Sequence, residues 1–396
     1  MAQCIIPDLP ELSLRELRIT PVVTEAERLA LLEFPWKVYR GDPYWVPPLL
    51  SERKAFTDPK QSPFFEHARV QFFLARRGDE VVGTIAAFTN DLYNEFHEAN
   101  VGWFGFFEVL RDPEAAAGLL ATAQGWARQA GHTSLLGPAQ FSTNDEIGLL
   151  VEGFDDAPRI LMTYNPRYYV GYIEAAGFHK AMDLLAYAAS FTEIRAGGGL
   201  TPKLLRVVEK VKARGRFRVR PVHMWEFGKE LERVKAVYNQ SWERNWGFVP
   251  MTDAEIERMA AQLKPLIDPN LVSAVEVDGQ VIGFGLTLPD LNEPLHKAYP
   301  RPGMPEWLTL LKMLWHWKVR RRVKWIRAVA LGVVPEYRGK GVDALLYLYA
   351  AERALRKGYD SVEMSWLLES NEMVLRSAEM LGGRCYKTHR VYEKSL

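Results

Sequence analysis

The spacing of apolar positions divides the chain into two series of strand and helix signals in the same order. In the first series, Leu17–Val23 alternates as a strand, and Thr24-Glu25-Ala26-Glu27 is a capping box that opens a helix. Phe72–Arg76 and Val81–Phe88 flank Arg77-Gly78-Asp79-Glu80, a hairpin signal. Val101–Val109 predicts a strand, Glu114–Ala130 a helix, Ser134–Gly137 a short strand and Pro166–Ala176 a helix that ends at Gly177-Phe178. In the second series, Arg216–Val222 is a strand, and Phe227–Gln240 and Asp253–Leu263 are helices. Val272–Val277 and Val281–Leu288 flank the turn Asp278-Gly279-Gln280. A strand over 325–334, a helix over 342–357, a strand Ser361–Leu367, a helix Asn371–Leu381 and a terminal strand pair within Arg384–Glu393 complete it.

Between the series lies 195–203, with three glycines followed by Thr201-Pro202, a helix-start pair. It reads as a linker joining one domain, 1–194, to another, 204–396. A chain of 396 residues accommodates two such domains. Apolar content of 48% and charged content of 25% are those of a globular protein. A net charge of +1 gives no global field to recruit nucleic acid, so no nucleic-acid partner is expected. Cys4 and Cys385 suggest neither a disulfide framework nor a zinc site, and they fit a reducing cytoplasm. The first twenty residues lack the basic and long apolar regions of a secretion signal, and no apolar run suffices for a membrane span. A monomer or a homodimer is expected.

The most informative segment runs from Val333 through Pro335, Arg338, Gly339, Lys340, Gly341, Val342 and Asp343 to Leu345. An apolar strand leads in and a helix leads out. Strand, glycine loop and helix cradle a phosphate: glycines let the backbone approach, and amides of the loop and first helical turn point at the anion. Arg338 and Lys340 add positive charge. The spacing is neither Gly-x4-Gly-Lys-Ser/Thr nor Gly-x-Gly-x-x-Gly. It resembles the pyrophosphate loop of the GNAT superfamily of acyl-CoA-dependent N-acyltransferases, in which Arg/Gln-x-x-Gly-x-Gly/Ala follows Val-x-Pro. The match holds from Arg338 through Gly341 and departs at Asp343, where the family has Gly or Ala. An ordinary strand–turn–helix with Asp343 capping the helix is the alternative.

The resemblance implies two tandem GNAT-like domains of the α/β class, each built on an α+β mixed sheet. It implies acetyl-CoA, or another acyl-CoA, as cosubstrate and no metal. The chain would bind it in the second domain through Leu331, Gly332, Val333, Arg338, Gly339, Lys340, Gly341, Val342, Asp343, Ala344 and Asn371. In the first series the loop position holds Leu110-Arg111-Asp112-Pro113-Glu114, without a glycine pair, and Asp112 and Glu114 would repel pyrophosphate. That domain reads as degenerate. Asp42–Pro48, Pro63–His67, Phe104–Glu108 and Asn144–Gly148 resemble a bacterial group of paired GNAT domains.

For transfer to an amine, the protein must orient the nucleophile and handle two proton transfers. Asp290, Glu363 and Tyr386 are the catalytic candidates. Asp290, just past a strand, and Glu363, on strand 361–367, suit a general base; Asp290 and Asn292 equally suit turn capping. Glu293 is a further candidate. The resemblance places a tyrosine acid where Ala378 stands, which leaves Tyr386, water or direct thiolate release. Glu243, Asn245, Trp246 and Asn292 form the candidate acceptor pocket, for a small-molecule or peptide amine. Residues 304–327 form an insertion, first apolar and helical, then basic. It reads as a helix packed on the domain, a lid over the acceptor or a long acyl chain, or an interfacial helix meeting lipid headgroups. Arg320-Arg321-Arg322 could help hold CoA phosphates. A CoA-binding protein without catalysis and an aminoacyl transferase of the paired-GNAT type remain the rivals.

Overall fold

A computed structural model describes residues 15–197, 199–213, 215–321 and 323–396. The secretion-signal reading of the first residues, Cys4, Gly198 of the linker and Arg322 lie in whole or part outside the described residues. Elements follow in the order β1 (Leu17–Pro21), α1 (Glu25–Glu33), α2 (Pro35–Val38), α3 (Leu50–Phe56), β2 (Val70–Arg77), β3 (Glu80–Thr89), α4 (Asp91–His97), β4 (Val101–Val109), α5 (Pro113–Gln129), β5 (Ser134–Gly137), β6 (Leu149–Glu152), α6 (Tyr168–Ala175) and β7 (His179–Ser190). The second series is α7 (Phe191–Ala196), α8 (Pro202–Ala213), β8 (Arg218–Pro221), α9 (Phe227–Trp242), α10 (Asp253–Leu263), β9 (Val272–Val277), β10 (Gln280–Pro289), α11 (Asn292–Ala298), α12 (Glu306–Leu314), β11 (Trp325–Val333), α13 (Val342–Lys357), β12 (Ser361–Leu368), α14 (Glu372–Met380) and β13 (Arg384–Ser395).

The chain forms two compact units. One takes residues up to Asp183, Leu295–Met313 and His389–Leu396; the other takes Leu184–Pro294 and Leu314–Thr388. In the first, strands run β1-β2-β3-β4-β5 and then the end of β13, with only β4 and β5 parallel. In the second they run β8-β9-β10-β11-β12 and then Leu184–Ser190 of β7, with only β11 and β12 parallel. The units therefore repeat one order, and each sheet ends on a strand from outside its own series. The segment read as a linker, 195–203, holds the end of α7 and the start of α8, within the second unit.

Local chemistry sets the boundaries. Thr24 and Thr252 head capping boxes, each accepting from the amide three residues on and receiving the reciprocal glutamate. Asp278 and Gly279 both hold positive φ, as a two-residue type I′ hairpin requires. In the first unit, α5 lays Leu119, Leu120 and Ala123 on the sheet. In the second, α13 buries Val342 and Leu346 on β9–β11 and is covered by Leu204, Val208 and Val211 of α8. The expected terminal strand pair is instead the single strand β13. Among the described residues, no helix is long and apolar enough to cross a membrane.

Candidate active site

Strands β11 and β12 pair from Trp325–Ser361 to Ala328–Met364, and their register ends there. Each continues beside its outer neighbour, β11 along β10 to Val333 and β12 along β7 to Leu368. An opening therefore forms in the middle of this sheet. A bulge sits at the same level, because Leu286 pairs with Ala330 and Thr287 with Ala328, leaving Val329 extra. The extra residue inverts which side chains face α13. Ile326 does so before the bulge, and Leu331 and Val333 do so after it. Past Ala328, β11 presents about 17 Å of strand edge to the opening, a row of peptide groups suited to an amide-rich chain.

The edge leads into the glycine loop. Gly339 and Gly341 have φ of 69° and 82°, a region that costs other residues about 1–2 kcal/mol. Gly341 is the N-cap of α13 and no side chain caps that end, so its first-turn amides have no intrahelical acceptor. Arg338 braces the loop: Nε donates to Val333 O (3.2 Å) and Nη2 to Ser241 O (2.6 Å). The Lys340 ammonium lies 4.8 Å from the Tyr337 ring centre. Asp343 is in the first turn of α13, and the cap position it was expected to contest belongs to Gly341. Burial, then the Asp343 charge, pushes the Tyr347 hydroxyl up to about 12.

At the closed end of the opening, the register sets Glu363 beside Arg327. Glu363 is wholly buried and Arg327 nearly so. Ser365 Oγ donates to Glu363 Oε1 at 2.6 Å and accepts from Arg327 Nε at 2.9 Å. Arg327 Nε is 3.6 Å from the same carboxylate oxygen. The Tyr386 hydroxyl donates to the other oxygen, Oε2, and its ring stacks on Trp325 at 6.4 Å. Two expected catalytic residues, Glu363 and Tyr386, thus meet directly. Alternation predicts this face: Trp325 and Arg327 on one strand, Glu363 and Ser365 on the other. Arg327, which in the sequence looks like the end of a basic run, and Ser365 join Glu363 and Tyr386 without having been expected.

The other candidates separate. Asp290 is wholly buried, but its amide bonds to Trp325 O, about 10 Å of strand before the opening. Its Oδ1 accepts from the Asn292 amide at 3.2 Å, which is turn capping. Glu293 Oε2 accepts from the amides of Lys324 and Trp325 at 2.6 and 3.1 Å. Asn371 caps α14 through the Val374 amide. Ala378 packs under Gly383, whose Cβ would stand 2.7 Å from Ala378 O. Glu243 is exposed, and Asn245 and Trp246 are half-buried in the turn after α9. Trp242, which opens the same acceptor-side segment, packs over Gly332, where a Cβ would lie 2.5 Å from its ring. His223, Glu226 and Glu230 present ligand atoms within 4.8 Å of one another, but Arg220 and Arg233 bind Glu230 and compete with any cation.

The sequence profile of the Acetyltransferase (GNAT) family matches residues 231–382, which contain the opening, the loop and Glu363. "Bacterial ceramide synthase" of Caulobacter vibrioides (strain NA1000 / CB15N) is 36% identical over 386 residues, 96% of this chain and 98% of that protein. The chain belongs to the GNAT family. "Protein YghO" of Escherichia coli (strain K12) is 32% identical over 371 residues, 93% of this chain and 92% of that protein. A tandem GNAT protein from the clavulanic acid biosynthesis pathway has the same fold, with a TM-score of 0.54 and 14% identity over 96% of this chain and 98% of that one.

The first unit keeps the GNAT strand order but fills the corresponding opening. Strands β4 and β5 pair as far as Trp103–Leu136. The Ala139 amide then donates to Phe104 O at 3.0 Å. A Cβ on Gly105 would fall 1.6 Å from Ala139 O, so main chain occupies the space. Phe141 wedges in, stacked 4.7 Å from Phe64 and tilted against Phe56 at 4.8 Å. At the start of α5, Asp112 caps the helix and Arg77 bridges Asp112 (2.7 Å) and Glu114 (2.6 Å). Burial alone would raise the Asp112 carboxyl, but Arg77 holds it below its ordinary value. Two carboxylates and one guanidinium thus meet at the start of this helix.

Proposed function

We propose that the second unit transfers an acyl group from acyl-CoA to the primary amine of a long-chain amino alcohol, forming an amide. The buried Glu363–Tyr386 couple at the closed end of the β11–β12 opening carries this reading. The uncapped start of α13, with Gly339, Gly341 and Lys340, suits a pyrophosphate, and the free edge of β11 suits the amide-bearing arm behind it. Leu331, Gly332 and Val333 supply that edge. The name of the Caulobacter relative supports a sphingoid-type acceptor and an acyl group longer than acetyl.

In this reading the amine nitrogen attacks the thioester carbonyl, the C–N bond forms and the C–S bond breaks. Glu363 takes the proton the nitrogen loses, directly or through one water. Tyr386, bonded to Glu363, gives a proton to the departing thiolate, and the carboxyl then restores the tyrosine. The sum is one amide and one CoA thiol. Arg327 and Ser365 hold the carboxylate in place, whereas Asp290 and Glu293 shape the turn into α11. Thiol release from acetyl-, octanoyl- and palmitoyl-CoA, with and without a long-chain amino alcohol, tests the reading. Amine-dependent release that grows with acyl length supports it. Release from acetyl-CoA alone, or none that depends on the amine, overturns it.

A further inference from the structure

Twelve large apolar side chains among the described residues are exposed, and six of them lie in one helical segment: Trp307, Leu310, Leu311, Leu314, Trp315 and Val319. The segment is α12, continued by a π-helical turn over Trp315–Val319. The first five fall at i, i+3, i+4, i+7 and i+8, so they form one face. The segment is also anchored. Glu306 accepts from the Ser51 amide at 3.1 Å, and Thr309 is buried. One side is therefore seated and the opposite side is open. Trp307 is 63% exposed and Trp315 52%, although burying such rings is strongly favourable.

Charge identifies what covers this face. No acidic residue falls between Glu306 and Glu336, while Lys312, Lys318, Arg320, Arg321 and Lys324 are exposed within that stretch. Averaging over a chain of net charge +1 conceals this run. An apolar stripe with flanking tryptophans and a cationic end matches the boundary between headgroups and acyl chains of an anionic bilayer. A protein partner would demand matched side chains; a bilayer demands only this stripe and this charge.

We propose that the segment 306–319 docks the protein on an anionic lipid surface, with the face led by Trp307, Leu311 and Trp315 inserted and the basic end on the headgroups. Cosedimentation with vesicles of phosphatidylcholine alone, or with about one third phosphatidylglycerol, tests it. Vesicle binding needs no turnover, so this inference stands or falls apart from the acyl-transfer reading. The wild-type chain is expected to sediment with the anionic vesicles, less so at high salt, and weakly with the neutral ones. The triple variant Trp307→Gln, Leu311→Gln, Trp315→Gln should lose binding at least about tenfold, since three inserted side chains are removed, with an unchanged melting temperature. Lys318→Gln with Arg321→Gln should lose about 25-fold on anionic vesicles, about fivefold per cation. No sedimentation of the wild type, undiminished binding of both variants, or a dimer in solution that the triple variant dissolves would overturn the proposal; the last would assign the face to a second copy.

Discussion

Replacing Glu363 by Gln separates the two roles the structure gives this carboxylate. Glu363 and Arg327 are both buried and 3.6 Å apart, so the substitution leaves a cation in the interior without its counter-charge. Breaking a buried pair by removing one partner costs about 3–5 kcal/mol. At about 2–4 °C per kcal/mol for a domain of this size, the transition should fall by roughly 6–20 °C. Gln keeps one carbonyl oxygen, so Ser365 or Tyr386 retains an acceptor and the stranded Arg327 dominates the loss. Arg327→Met should be comparably damaging. The double variant should regain most of the stability, because replacing both members of a buried pair is often nearly neutral. Turnover should behave differently. If Glu363 is the base, Glu363→Gln and the double variant lose about 10²–10⁴ in rate, while acyl-CoA affinity changes little. Calorimetry and stopped thiol-release assays on the four proteins give both readouts. Additive melting shifts, or a stable double variant with wild-type turnover, would rule out these two roles of Glu363.

Other substitutions probe the loop, the turn and the first unit. Gly341→Ala forces a side chain into φ of 82° and sets its Cβ 2.6 Å from Val211; titration calorimetry should show weakened acyl-CoA binding, whereas Glu114→Ala at the corresponding helix of the first unit should leave affinity unchanged. Asp343→Asn should tighten acyl-CoA a few-fold and cost at most about 1 kcal/mol of helix-dipole stabilisation; weaker binding would mean that Asp343 orders the loop. Asp290→Asn should lower the melting temperature, yet turnover should stay within a few-fold of wild type, and a loss of about 10² or more would move the base to Asp290. Half-buried Glu108, held by Tyr169 (2.7 Å) and Tyr39 (3.2 Å), is pushed up from 4.5 to about 7, mainly by desolvation. Its folded form retains a proton that the unfolded chain has released, so stability is lost as pH rises through that window, by about 3 kcal/mol at most. Glu108→Gln should therefore melt like the wild type at pH about 5 and above it at pH about 8.

Much of this arrangement was legible because it is local. The capping box at Thr24, the Asp278-Gly279 turn and the glycine loop each specify geometry within a few residues. The fate of β7 was not, because His179–Ser190 is rich in alanine, which carries little strand preference, and its partner β12 is far away in sequence. Nor could spacing show that Tyr386 meets Glu363, since β13 comes to that carboxylate only through tertiary placement. The role of Asn371 as a cap and the seating of Ala378 under Gly383 likewise depend on packing. The first unit's lack of a glycine pair was visible at 110–114. Its filled opening needed the backbone contact between Gly105 and Ala139.

Transfer of an acyl group from CoA to an amine leaves two products that can be counted together. The most direct measurement is mass spectrometry of the products formed from palmitoyl-CoA and a long-chain amino alcohol, with free thiol counted in the same reaction. An N-acyl product and CoA thiol are expected in equal amounts, both strongly reduced in the stable Glu363→Gln, Arg327→Met protein. Thiol released without an amide, or an amide formed as fast by that variant, would contradict such a transfer.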